Sequence, residues 1–160
     1  MAKQFCGILL NTFKEPTQDG YSALTRVFLV WSVFERYADL ADNPPPYSQL
    51  LSMVSRLKLN LLADQIERND SEHKLYEFLH EQSLEHNRSY LERYRDGDRR
   101  GVIFYAAALR HIYVHGHLTA HPNGCQADNV QTICNTLSEF LLELISEDFS
   151  RRLKVAKAMR

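Results

Sequence analysis

Apolar residues return along most of this chain at three- and four-residue steps, the period of a helix with one face turned to a core. Over residues 21–42 they are Leu24, Val27, Phe28, Trp31, Phe34 and Leu40. That stripe predicts a core-facing helix capped by Asp19 or Ser22 and stopped by Pro44-Pro45-Pro46. A second helix is expected from Tyr47 or Ser48 through Leu50, Leu51, Val54, Leu57, Leu61, Leu62 and Ile66, breaking at Arg68-Asn69-Asp70-Ser71. Asp70 and Ser71 would cap a third, roughly residues 72–95, with a thinner stripe of Leu75, Phe78, Leu79, Tyr90, Leu91 and Tyr94. The last long helix, about residues 128–149, places Val130, Ile133, Cys134, Leu137, Phe140, Leu141, Leu144 and Ile145 on one face. Residues 1–18 read as a short helix or packed arm ended by Pro16, and the basic tail 150–160 is expected to fray. No alternating strand pattern, glycine-rich phosphate loop or repeat interrupts this. The expectation is one all-α domain over residues 1–160, an antiparallel bundle of four to five helices. Trp31, Phe34, Leu57, Phe78, Leu109, Ile133, Leu137 and Leu141 should be largely buried.

One stretch departs from the amphipathic rule. From Val102 to Val114 the chain reads V-I-F-Y-A-A-A-L-R-H-I-Y-V, apolar around the whole circumference except at Arg110 and His111. A helix of that kind is buried on most sides. An arginine and a histidine placed there are costly to desolvate unless they are paired or open onto a cleft. Asp98, after the turn Asp96-Gly97-Asp98, is placed to cap this helix, and Gly116 to end it in a left-handed conformation. Four of the seven histidines, His111, His115, His117 and His121, crowd into its end and the loop that follows.

Composition narrows the function classes. With 160 residues, 44% hydrophobic and 24% charged, the chain can bury a full core. A formal net charge of -1 gives no global attraction to nucleic acid or membrane, so any RNA contact needs a local basic patch. No apolar run approaches the roughly 20 residues of a membrane span. The N-terminal residues are too interrupted for a signal peptide, and three widely spaced cysteines suit a reducing compartment. The expected location is therefore cytoplasmic.

Arg110-His111-x-x-x-His115, with a polar residue directly after the arginine and Gly116 after the histidine, resembles the signature of the HEPN superfamily. The motif of that family is an arginine and a histidine four to six residues apart, the first intervening residue polar and usually Asn, Asp or His. The resemblance implies an all-helical fold and, as in many members, a metal-independent endoribonuclease acting as a homodimer. It further implies that Glu35, a carboxylate amid the apolar stretch V-W-S-V-F-E-R-Y, supports Arg110 or His115 from an early helix. Read from the residues alone, Glu35 is equally the solvent-facing position of its helix.

Histidine titrates near neutrality and suits proton transfer, while the forked donors of arginine fit phosphate. His115 is thus the expected proton-transfer group, Arg110 the phosphate clamp, and His111 an orienting residue. Arg95, Arg99 and Arg100, near Tyr90 and Tyr94, are candidate RNA contacts, against the plainer reading of a solvated helix end. Two other readings stand beside this one. The histidines, with Cys125, have ligand-like spacings for zinc, but no E-x-x-H or H-E-x-x-H helix supplies the general base of a zinc hydrolase. The expected cofactor is therefore none. The bundle is alternatively a non-catalytic module that binds RNA, a nucleotide or a regulatory partner protein, as an adaptor or one half of a toxin–antitoxin pair. Expected partners are RNA and a second copy of the chain, with no membrane.

Overall fold

The hydrophobic period resolves into helices throughout the computed structural model, which describes residues 15–116 and 122–159. Among the described residues there are seven α-helices and no strand. They are α1 (Glu15–Leu40), α2 (Ser48–Ser52), α3 (Arg56–Asn69), α4 (Lys74–Gln82), α5 (Glu85–Arg95), α6 (Phe104–Val114) and α7 (Ala127–Ala158). A 3-10 turn, Arg99–Ile103, leads directly into α6, and a second, Pro122–Gly124, precedes α7.

α1 starts earlier than the pattern indicates. Pro16 opens it instead of ending an N-terminal arm, because the first turn of a helix has no intrahelical partner for the missing N–H. Asp19 and Ser22 therefore lie inside α1 and not at its start. The rest of the arm, residues 1–14, lies outside the described residues. At its other end, α1 closes before the prolines. Asp42 takes a left-handed conformation (φ 53°), its amide bonds to Asp39 O, and the Asn43 amide bonds back to Ala38 O. This paired closure satisfies carbonyls at the helix end, and the three prolines then bar any continuation.

Two helices expected to be continuous are each broken. The second is cut at Met53–Ser55, where Ser55 accepts a hydrogen bond from the Lys58 amide (3.2 Å) and restarts the helix as an N-cap. Restarting resets the phase. Leu59, Leu62, Ala63 and Ile66 become the buried stripe, and Leu57, expected in the core, is 67% exposed. The third is cut at Ser83–Leu84. There the Arg88 guanidinium donates to His80 O (3.1 Å) and Ser83 O (3.2 Å), satisfying carbonyls that a continuing helix would have used. Asp70 caps the first half as expected, accepting from the Leu75 and Tyr76 amides. Phe78 in α4 is only partly buried.

The core lies where α1 runs along α6 and α7, with α3 against α7 and with α4 and α5 against α6. Trp31, Phe34, Leu109, Ile133, Leu137 and Leu141 are all buried in it. Trp31 sits among Phe34, Tyr47 and Phe104, with ring centroids 5.2, 5.8 and 6.2 Å away.

The basic tail is helical through Ala158. Its anchor is Asp148, fully buried, which accepts from the Tyr37 hydroxyl, Arg151 Nη2 and Arg152 Nε, each at 2.6 Å. Burial pushes this carboxyl up, but the three hydrogen bonds outweigh burial and hold it below the usual carboxylate range. Because the folded value lies below the unfolded one, the stabilisation is complete above about pH 4 and is lost as pH falls through the folded value. Asp148→Ala is expected to lower the unfolding free energy by about 2–3 kcal/mol, the worth of hydrogen bonds to a buried charge. Urea titration at neutral pH checks this. Asp148→Asn should flatten the acid limb of the stability profile, and an unchanged acid limb would show that Asp148 is not the anchor.

Candidate functional site

The site begins with a close approach. Gly101 lies in the 3-10 turn between α3 and α5, and a Cβ there would stand 2.7 Å from Tyr90 O and 2.7 Å from Tyr94 Cβ. Only glycine lets the turn press this closely against α5. Asp98 holds the start of the turn by accepting from the Arg100 amide (3.2 Å), so its cap acts on the turn and not on α6 itself. The turn then feeds Val102 and Ile103 into the core, and α6 stays buried from Phe104 to Leu109. Burial ends with Arg110 and His111, which are half-buried, although Ile112 is again in the core.

Those two residues reach a cleft of about 130 Å³ shared by α1, α5 and α6. Its polar lining is Glu35 from α1, His86 and Asn87 from α5, and Arg110 and His111 from α6; its floor is Trp31, Tyr47 and Phe104. Glu35 is not a purely solvent-facing position. Its Oε2 lies 3.6 Å from Arg110 Nη2, with both side chains just over one-third exposed. An ion pair of that exposure contributes at most about 1 kcal/mol, so it orients the guanidinium more than it stabilises the fold. Arg110 Nε is buried and has no hydrogen-bond partner among the described residues. A buried donor left unpaired costs about 1–3 kcal/mol, a cost that an anionic acceptor in the cleft would remove. Tyr47, buried beneath, has its ionisation pushed well up by burial and then by the Glu35 carboxylate. It is a neutral phenol at physiological pH.

His115 follows α6 as its C-terminal cap, its amide bonded to His111 O (3.3 Å), and Gly116 ends the helix at φ 72° as its position indicates. One turn above His111, His115 stacks edge-on against that imidazole with ring centroids 4.6 Å apart. Positions 110 and 115 lie about 140° apart around an ideal helix, so they do not share a face. His111 joins them. Arg110, His111 and Glu35 meet at the cleft, whereas His115 is exposed at its edge beyond His111 and does not line it.

The candidate RNA contacts separate. Arg99 is held by Glu67 and Asp64. Arg95 lies over the Tyr76 ring, 5.2 Å from its centroid. Arg100 is paired with Asp98 only at 3.6 Å and faces a cleft. The reading of the sequence missed His86 and Asn87, because they follow a helix break that periodicity does not reveal. His117 and His121 lie outside the described residues.

No family model matches this chain, and no curated protein or solved structure matches it either. Among the described residues, no group of three or more His, Cys, Asp or Glu side chains converges as a metal site, and no helix is long and apolar enough to cross a membrane. Cys125 lines a different cleft, beside Asp70, and burial pushes its thiol up to about 11, so it is a protonated thiol at neutral pH.

The wall that carries the site should fail with its glycine. Gly101→Ala is expected to destabilise the chain by about 1–3 kcal/mol, as overpacking against fixed backbone does. It should also loosen the α5 side of the cleft. Chemical denaturation measures the first effect and amide exchange across residues 86–104 the second. A Gly101→Ala protein with parental stability and exchange would refute this account of the turn.

Proposed function

We propose that this chain is a HEPN-like, metal-independent endoribonuclease that cleaves single-stranded RNA, with its helices packed as an antiparallel bundle in which α2–α3 and α4–α5 each act as one interrupted helix. One observation carries the reading: the buried, unpartnered Nε of Arg110 faces a small cleft that also holds His111 and Glu35. Such a donor fits a phosphate oxygen, and the forked guanidinium supplies more than one hydrogen bond to it. Arg110 is then the phosphate clamp, and Glu35 fixes its orientation.

The reaction is attack of a ribose 2'-hydroxyl on the neighbouring phosphorus. The hydroxyl loses its proton to His115 as the O2'–P bond forms. The P–O5' bond breaks, and the leaving oxygen takes a proton, giving a 2',3'-cyclic phosphate and a 5'-hydroxyl. His111, between Arg110 and His115, orients the scissile phosphate or the His115 ring. The position of His115 beyond the cleft is consistent with an assembly in which two copies of α6 face each other across a twofold axis, completing each site.

The same position also favours a second reading. A bundle that grips a phosphate through Arg110 without a base in the cleft binds RNA or a nucleotide and cuts nothing.

Activity separates the two. The protein should cleave single-stranded RNA in the presence of chelator, leave DNA intact, and contain no stoichiometric zinc by elemental analysis. His115→Ala should lower the rate by about 10²–10⁴, the usual worth of positioned acid–base catalysis. Arg110→Ala should do comparable damage through lost transition-state stabilisation. His117→Ala and His121→Ala should matter much less. Each variant must first show parental helicity and melting. A folded His115→Ala protein that cleaves as well as the parent removes the catalytic assignment. A parent inert across a broad RNA panel leaves the binding module.

Assembly is tested separately. Light scattering at micromolar concentration should give a dimer mass, and a Cys substituted at the exposed Val114 should cross-link to its own copy. A monomer mass at that concentration would count against the shared site.

A further inference from the structure

Three clefts follow one another on the surface and share their walls. The first, about 520 Å³, lies between α3 and the 3-10 turn and is lined by Arg56, Arg99 and Arg100. The second shares Leu51, Asp98 and Arg100 with it and adds Arg93 and Tyr90. The third, which holds Arg110 and His111, shares Tyr90 and Phe104 with the second. They therefore form one continuous groove from Arg56 to Arg110.

The groove concentrates charge that the whole chain lacks. Five arginines line it against two carboxylates, Asp98 and Glu35, in a protein whose formal net charge is -1. Asp98 is shared between Arg93 (2.7 Å) and Arg100 (3.6 Å), so it neutralises neither fully. Arg56 makes no hydrogen bond or ion pair with any described residue. It opens α3, whose first turn contains no acidic residue, so the positive end of the helix is left uncompensated at the mouth of the groove. Midway, the Tyr90 ring stacks on Phe104 at 3.9 Å with the planes 13° apart, a rigid aromatic platform. Positive groove, interleaved aromatic and a phosphate clamp at the far end are the parts that hold a nucleic acid strand without reading its sequence.

We propose that this groove is the track for single-stranded RNA, with Arg56 and Arg100 contacting phosphates upstream or downstream of the one held by Arg110 and with an unstacked base laid against Tyr90. The inference rests on the ribonuclease reading for what happens at the Arg110 end. It moves the RNA contacts away from Arg95, which lies over Tyr76, and from Arg99, which Glu67 and Asp64 occupy.

The test is binding, made on the His115→Ala protein so that the probe survives. A fluorescein-labelled 12-nucleotide oligouridine is titrated by anisotropy at several salt concentrations. Arg56→Glu with Arg100→Glu should weaken binding at least tenfold at low salt and flatten the salt slope by about two, one for each lost phosphate contact. Arg56→Gln with Arg100→Gln should weaken it less but flatten the slope equally. Arg36→Glu, exposed on α1 and outside all three clefts, should leave affinity within twofold. Melting curves must match first. Equal losses from Arg36→Glu and the paired variants, or none from either, would overturn the track. So would a 12-base-pair RNA duplex that competes as well as the single strand, because a paired base cannot lie on Tyr90. Cleavage by the parent together with unaffected binding in the paired variants removes the track and keeps the ribonuclease. Binding lost in those variants with a parent that cuts nothing removes the ribonuclease and keeps the track.

Discussion

The burial of α6 on all sides is the constraint from which the rest of the architecture follows. A helix with no polar face cannot lie on a surface, so other helices must surround it, and here α1, α4, α5 and α7 all contact it. Hydrophobic burial drives this association and is blind to direction. What gives it direction is the pair of polar residues near the end of α6. Arg110 and His111 can be accommodated only where the surrounding helices leave an opening, and the cleft between α1 and α5 is that opening. The site is thus a consequence of how the core closes around one segment.

Two charges in this protein meet burial in opposite ways. Asp148 is sealed from solvent and receives three short hydrogen bonds from Tyr37, Arg151 and Arg152, which is how a structural charge is retained. Arg110 has one carboxylate at 3.6 Å and a buried Nε with no partner. The first arrangement is complete and ties α1 to α7. The second is incomplete in a way that only an acceptor entering the cleft would mend. That asymmetry distinguishes a residue kept for the fold from one kept for a ligand, without reference to any other protein.

Much of the fold could be read from apolar spacing. The all-helical class, the stripes of α1 and α7, the buried character of α6 and its end at Gly116 were all visible, because burial imposes a period on any sequence that achieves it. So was the convergence of Arg110 and His111 on an opening, from the cost of burying them. The limits have physical causes. Leu57 lies on an apolar period but is exposed, because a single hydroxyl at Ser55 restarts the helix and turns that residue outward. The tail after Phe149 looks too polar to hold, and its helix persists because of a carboxylate three and four residues upstream of two arginines. The relation of His115 to Arg110 depends on how α6 ends and on what faces it, which no one-dimensional pattern contains.

The two breaks that apolar periodicity concealed are also where the groove is built. At Met53–Ser55 the chain leaves α2 and restarts as α3, and the residues flanking that break, Ser52, Val54 and Arg56, line the first cleft. At Ser83–Leu84 it leaves α4 and restarts as α5, and Leu84, His86 and Asn87 line the third. An unbroken amphipathic helix buries one face and exposes the other, presenting a ridge to solvent. A helix interrupted and re-aimed by a cap leaves a notch at the joint, with backbone and short side chains at its base. The departures from regularity lie at small local bonds, Ser55 to the Lys58 amide and Arg88 to the His80 and Ser83 carbonyls. Those bonds oppose the continuing period and prevail. A sequence otherwise so consistent with long helices breaks that consistency where the surface must be concave, which is where local rules are expected to yield to a site.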